Sequence, residues 1–235
     1  MHNALHGSSE SSNNINLDRQ TFLDWIRSRR SIRRYLKESV PRQVIDELLE
    51  AARWAPSAHN RQPWRFAVIE SEATKAALAR AMGERLRTDL ARDGAPGEVI
   101  EADTARSYAR ISNAPVVILV CMTLRDMDIY ADERRRQAER IMATQSVAMS
   151  AQNLLLAAYA RGLGACWMCA PLFAPETAQG VLGLDADWEP QALITLGYPA
   201  ESKTKSRKPL DAIARYLDTE ENPQRPESDS YSKSV

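Results

Sequence analysis

Ala55-Pro56-Ser57-Ala58-His59-Asn60-Arg61-Gln62-Pro63-Trp64-Arg65-Phe66 follows an amphipathic helical pattern and leads into a stretch rich in β-formers. Upstream of that helix lies Arg29-Arg30-Ser31-Ile32-Arg33-Arg34-Tyr35, with most of the local positive charge. Between the two runs, Val44, Ile45, Leu48, Leu49 and Ala52 recur at helical spacing, and the helix must stop near Pro56. A chain that goes out and back along one helix is expected to bring both runs to one end of it. Guanidinium forks, the Ser31 hydroxyl and free backbone amides suit phosphate oxygens. The side-chain amides of Asn60 and Gln62 both donate and accept, so they can read a flat ring edge that alternates carbonyls with an N–H. Small Ser57 and Ala58 would let the backbone approach such a ring. Trp64 reads as core.

The remaining elements follow from period and punctuation. Helix is expected from Asp18, with Phe22, Leu23 and Ile26 on one face, and again at 72–92 and 98–112. Ser39-Val40-Pro41 reads as a helix start, Ser39 being the candidate cap. Strands are expected at 64–69, at the continuous apolar run Val116 to Cys121, at 165–168 and at 191–196. The longest helix, 132–161, is almost wholly apolar and small in its second half, which suits a large core or a subunit interface. Gly162 is placed to end it, and Pro175 to open a small helix. Helices and strands mix without strict βαβ alternation, so the fold class is α+β.

Bulk properties narrow the function. The 235 residues are 44% hydrophobic and 26% charged, with a formal net charge of +0. These are globular values, and the zero net charge argues against nucleic-acid binding through a global field. No apolar run is long enough to span a bilayer, and the polar, Ser/Asn-rich first residues lack the apolar core of a secretory signal. Three Cys do not suggest a disulfide framework, so a cytoplasmic location is expected. Residues 1–16 read as a disordered leader, 17–219 as one domain and 220–235 as a polar tail.

Other motifs have ordinary explanations. Cys166-Trp167-Met168-Cys169 has redox or metal spacing, but on a strand positions i and i+3 face opposite ways. With only His2, His6 and His59 available, zinc is short of ligands and no metal is expected. Arg134, Arg135, Arg136 and Arg140 open the long helix behind Asp132 and Glu133; they read as an ion-paired face, or alternatively as a patch for an anionic substrate. No nucleophilic triad, P-loop or dinucleotide glycine fingerprint occurs.

The two opening motifs, their spacing, and Lys205-Ser206-Arg207 resemble the nitroreductase family of FMN-dependent oxidoreductases over roughly residues 20–217. Trp54 to Phe66, Cys169-Ala170-Pro171-Leu172-Phe173 and Asp187-Trp188-Glu189-Pro190-Gln191 are especially similar to the C-terminal nitroreductase-like domain of the bifunctional coenzyme F-420 ligase. No ligase domain precedes them in this chain, so the resemblance implies a stand-alone version. It implies a nitroreductase-like fold, with a mainly antiparallel central sheet flanked by helices, and an intertwined homodimer with FMN at the interface. By motif position, Arg29, Arg30, Ser31 and Arg33 would bind the phosphate and ribityl chain with Lys205 and Arg207. Ser57, Asn60 and Gln62 would serve the ring, Asn60 from the second subunit, and Trp167 to Pro171 would pass near it. Chemistry would reside at the flavin N5, with NADH or NADPH as reductant and no protein nucleophile. The acceptor would be a small electron-poor molecule: the dehydro precursor of F-420, or a range of nitro compounds and quinones. A flavin-destroying dimethylbenzimidazole synthase and a non-catalytic flavin- or F-420-binding module are the remaining readings.

Overall fold

Val116–Met122 (β2) is apolar at every position, and all seven residues are buried. A strand of that composition needs cover on both faces and partners on both edges. β2 has both. It pairs antiparallel with Trp64–Ile69 (β1) on one side and Glu189–Gly197 (β4) on the other, and β4 pairs antiparallel with Gly164–Met168 (β3). The sheet order is therefore β1-β2-β4-β3. Alternate residues of β2 feed two separate cores. Val116, Ile118, Val120 and Met122 meet Ile45 and Leu48 of α2 (Arg42–Arg53) and Leu154 and Leu155 of α5 (Glu133–Ala160). Val117, Leu119 and Cys121 meet α3 (Glu72–Arg92), α4 (Gly97–Ser112) and α6 (Pro175–Leu182). Each fully buried Leu or Ile contributes about 1.5–3 kcal/mol, so both faces are needed to hold the sheet.

The computed structural model describes residues 19–217, and the chain divides into two compact units, 1–203 and 204–235. All four strands and all six α-helices lie in the first, beginning with α1 (Arg19–Ser28). Among its described residues the second contains one 3-10 turn, Leu210–Ala212. The leader 1–16, the tail 220–235 and the expected helix start at Asp18 lie outside the described residues. Among those described, no helix is long and apolar enough to cross a membrane.

Elements expected from sequence form close to their anticipated bounds, with one correction. α2 begins at Arg42 with Pro41 as its N-cap, and no side chain caps it. Pro41 already has the φ of −58° a helix start needs, and its carbonyl accepts from Val44 and Ile45 N–H. Ser39 lies outside that turn. The long helix α5 packs across one sheet face and along α2, where Ser150 Oγ donates to Ala52 O at 2.8 Å. Its other side leaves Ile141 and Met149 partly exposed. Gly162, at φ 71°, terminates it. Buried Lys75 was not anticipated. Its Nζ donates to Ala114 O and Pro115 O at 2.7 and 2.8 Å, tying α3 to the entry of β2, and burial pushes its ammonium below the usual lysine range.

Candidate functional site

After α1 the chain runs extended along the edge of β3. Ile32 N–H donates to Ala165 O at 3.1 Å, Leu36 N–H to Tyr198 O at 2.9 Å, and Ala200 N–H to Arg34 O at 3.0 Å. Two glycines make this approach possible. A Cβ at Gly164 would lie 2.8 Å from Ile32 Cβ, and one at Gly197 would lie 2.7 Å from the Pro115 ring and 3.1 Å from Tyr35 Cβ. The Tyr35 hydroxyl shares a 2.8 Å hydrogen bond with Thr195 Oγ1, and its burial raises the phenol's pKa. Arg33 N–H donates to Glu201 Oε1 at 2.7 Å. Although partial burial opposes it, the Arg33 N–H and the Lys203 ammonium hold the Glu201 carboxyl below its ordinary range.

This arrangement gathers cations at one corner. Arg29, Arg30 and Ser31 are half-buried and Arg33 is exposed. Arg30 Nη1 donates to Arg29 O at 2.9 Å, while its buried Nε has no hydrogen-bond partner. An orphaned guanidinium N–H is costly unless a ligand completes it. Burial pushes the Cys166 thiol up, against the pull of the Arg33, Arg110 and Arg29 guanidiniums. Cys166 is buried and Cys169 exposed, with Trp167 Nε1 donating to Cys169 Sγ at 3.0 Å. The two thiols sit in different environments. Among the described residues no cluster could hold a metal ion.

The 57–62 loop is built differently. His59, Asn60 and Gln62 have φ of 50°, 53° and 51°, the only positive values outside glycine among the described residues. A left-handed conformation costs a non-glycine residue roughly 1–2 kcal/mol, so the surroundings must enforce three of them. Gln62 N–H donates to Ser57 Oγ at 3.1 Å, and Ala58 N–H to Ser146 Oγ on α5 at 3.2 Å. Arg61 pairs with Asp128. Gln62 Nε2 donates to Asn60 Oδ1 at 3.3 Å, aligning two exposed amides. Ser57 thus shapes the loop from within. Trp64 is buried core.

These two regions do not meet within one chain, which corrects the sequence expectation. The loop enters β1 at Trp64, level with Met122 of β2 and Glu189 of β4. Ser31 bridges Ala165 on β3, level with Leu196 of β4 and Val116 of β2. The motifs occupy diagonally opposite corners, four interstrand steps and six residues apart, or roughly 28 Å. The cause lies at Tyr35 and Leu36, which pair with Pro199 and Tyr198 just past the end of β4. Lys205 and Arg207 belong to the second unit, where both are exposed and Arg207 Nη1 donates to Ser206 O at 3.1 Å.

The basic start of α5 resolves toward the ion-paired reading. Arg135 pairs with Asp132, Arg136 with Glu133 at 2.7 Å, and Arg140 with Glu189. Asp187 accepts from Thr123 Oγ1 at 2.8 Å and from Arg125 at 3.0 Å; the Thr123 bond leads in holding its carboxyl low. The 187–191 phrase is therefore partly architectural.

A family model described as the nitroreductase family matches residues 26–198. The chain belongs to the nitroreductase family. It is 35% identical over 210 residues to an NADH dehydrogenase of Thermus thermophilus, covering 79% of this chain and 90% of that one. It is 30% identical over 191 residues to a Bacillus subtilis protein assigned as an NAD(P)H nitroreductase, covering 80% and 89%. A Desulfovibrio desulfuricans protein assigned as a nitroreductase, solved in complex with FMN, superposes with a TM-score of 0.63 at 31% identity, covering 86% and 97%. The antiparallel sheet between helical layers is thus the nitroreductase-like fold. Sequence reading missed Arg106 and Arg110 of α4, whose i, i+4 spacing puts them on one helix face. It also missed Glu201, Ser146, Gly164 and Gly197, whose roles depend on contacts distant in sequence.

Proposed function

We propose that this nitroreductase-family chain is an FMN-dependent oxidoreductase. It takes hydride from NADH or NADPH and delivers it to an electron-poor small molecule. Each site in a homodimer combines the Arg29–Arg33 corner of one protomer with the 57–62 loop of its partner. The observation that carries this reading is the diagonal separation. Phosphate-type and ring-edge-type groups lie roughly 28 Å apart, and neither makes a full flavin site alone. The residues fit the cofactor. Arg30 Nε lacks a partner, Arg29 and Arg33 bring further guanidiniums, Ser31 a hydroxyl, and Asn60 and Gln62 a paired amide edge. Partly exposed Phe22, Leu23 and Ile26 on α1, with Ile141 and Met149 on α5, supply apolar surface for a dimer. Lys205 and Arg207 join the phosphate set by motif position.

When bound, FMN supplies hydride chemistry at N5, and the protein's residues bind and orient it. Cationic and amide N–H groups also favour negative charge on a reduced ring, which lowers the cost of accepting hydride. Residues 17–219 act as the flavin domain, between flanking segments 1–16 and 220–235. A cytoplasmic location belongs to the same reading, supported by free Cys121, Cys166 and Cys169.

Two acceptor readings have distinct support. A broad nitro or quinone reductase is supported by the relatives' names. The dehydro precursor of coenzyme F-420 is supported by the phrases Trp54 to Phe66, 169–173 and 187–191. Anaerobic assays with each acceptor decide between them. The function itself is tested by flavin absorbance of the purified protein and its bleaching by NADH and NADPH. A colourless protein whose melting temperature FMN leaves unmoved would refute it. Yellow protein that neither reductant bleaches would leave a binding module.

A further inference from the structure

A cavity of about 530 Å³ opens between the extended segment after α1 and the last turns of α4. Arg33 and Arg34 line one wall, Arg106 and Arg110 the other, and Lys203 also contributes. A second hollow of about 280 Å³ shares Arg33, Arg106 and Arg110 and extends to Cys166 and Trp167 on β3. Some of this charge is compensated. Arg106 pairs with Asp103, and Glu201 takes the Lys203 ammonium at 3.3 Å and the Arg33 N–H. Glu201 also lines the cavity and feels the Arg34 charge, but among the described residues no carboxylate forms a salt bridge with Arg34 or Arg110.

One cation in the last turn of a helix is ordinary compensation of the helix dipole, and Arg110 alone would need no other explanation. Here it faces a cleft with three further guanidiniums. A flavin phosphate carries at most about two negative charges. Arg29, Arg30 and Arg33 already meet them in the site proposed above, with the Ser31 hydroxyl. Arg34 and Arg110 are surplus cations across one cavity, and guanidinium forks match phosphate oxygens in pairs. We propose that the cleft between Arg34 and Arg110 is a second phosphate site, for a phosphomonoester carried by a substrate and not by the flavin. This rests on the reading of the chain as an NAD(P)H oxidoreductase. The phosphate has two sources: the 2′-phosphate that distinguishes NADPH from NADH, or a phosphate on the acceptor.

The test compares FMN-saturated wild type with the double variant Arg34→Gln/Arg110→Gln, Arg34 being exposed and Arg110 half-buried. Adenosine 2′,5′-bisphosphate and inorganic phosphate are titrated by calorimetry, with flavin per protomer and KM for each reductant measured alongside. The expected result is unchanged flavin content and phosphate-probe binding weakened about tenfold or more. If the phosphate is that of NADPH, KM rises for NADPH and the NADPH-to-NADH ratio of kcat/KM falls. If it belongs to the acceptor, that ratio stays, and inorganic phosphate competes with the acceptor in wild type only. Loss of flavin in the variant would assign the cleft to the flavin phosphate and overturn the proposal. Equal probe binding by both proteins would also overturn it. Failure of the enzyme reading appears separately, as wild type with no flavin and no NAD(P)H oxidation, and even then the phosphate titration still reads the cleft.

Discussion

The two corners of the sheet solve the problem of binding in opposite ways. The Arg29–Arg33 segment is extended backbone, tied to β3 by a main-chain hydrogen bond at Ile32, and its selectivity would lie in charge. The 57–62 loop is the reverse: three left-handed residues, held by Ser57, Ser146 and Asp128, present uncharged amides in a fixed orientation. A phosphate is nearly isotropic and tolerates a loose cradle of cations, whereas a ring edge has a set order of donors and acceptors. Strain is concentrated where orientation matters.

The comparison breaks most severely at its support. Gly164→Val should force Ile32 off β3, because even a bare Cβ there meets Ile32 at 2.8 Å. Overpacking of this kind costs about 1–3 kcal/mol and would scatter the cationic corner, so flavin content should collapse and the melting temperature drop. Normal flavin content in that variant would show that the segment is not positioned by the close approach. Arg33→Ala should weaken FMN binding by about 1.5–3 kcal/mol, the worth of one charge-assisted contact, with an effect that shrinks as salt rises. Affinity equal to wild type at low salt would remove Arg33 from the phosphate set.

The loop should respond with a different signature. Gln62→Gly relieves a positive φ, so the protein should gain about 1 kcal/mol of stability while losing activity and flavin affinity. A variant that loses stability would deny the strain. Ser57→Ala removes the acceptor of Gln62 N–H and should cost on the order of 1 kcal/mol, seen as weaker ring binding with the salt dependence unchanged.

The smallest effect concerns pH. Glu201 is held below its ordinary range in the folded chain, so its contribution is present above the unfolded carboxyl pKa and is lost as pH falls through the lower folded value. Acid stability of wild type should therefore decline more steeply than that of Glu201→Gln in that window, and parallel melting curves would exclude the carboxylate. Its role is to pin Arg33, on the charged side of the comparison.

Much of this fold can be read from local signals. The apolar run at 116–121 identifies a central strand, alternation at 64–69 identifies its neighbour, and Gly162 marks the end of α5. Ser39 misled because two residues two positions apart could start α2, and the proline's fixed φ prevailed. The residues of the proposed site were legible as types, but their placement was not. Whether Tyr35 and Leu36 pair just past the end of β4 depends on Tyr198 and Pro199, more than 150 positions away. The strain at His59, Asn60 and Gln62 was equally hidden, since no glycine marks the left-handed turns and the restraining hydroxyl of Ser146 comes from α5.

The central claim is that each site joins the charged corner of one protomer to the strained loop of another. Mixed dimers carrying Arg33→Glu in one protomer and Asn60→Ala in the other test it directly, because each parent homodimer has both sites damaged. With sites built in trans, one site of the mixed dimer collects both substitutions and the other is intact. NAD(P)H oxidation should then return to about half the wild-type level per dimer. Activity no higher than that of the more active parent would place both motifs in the same protomer's site and contradict the account.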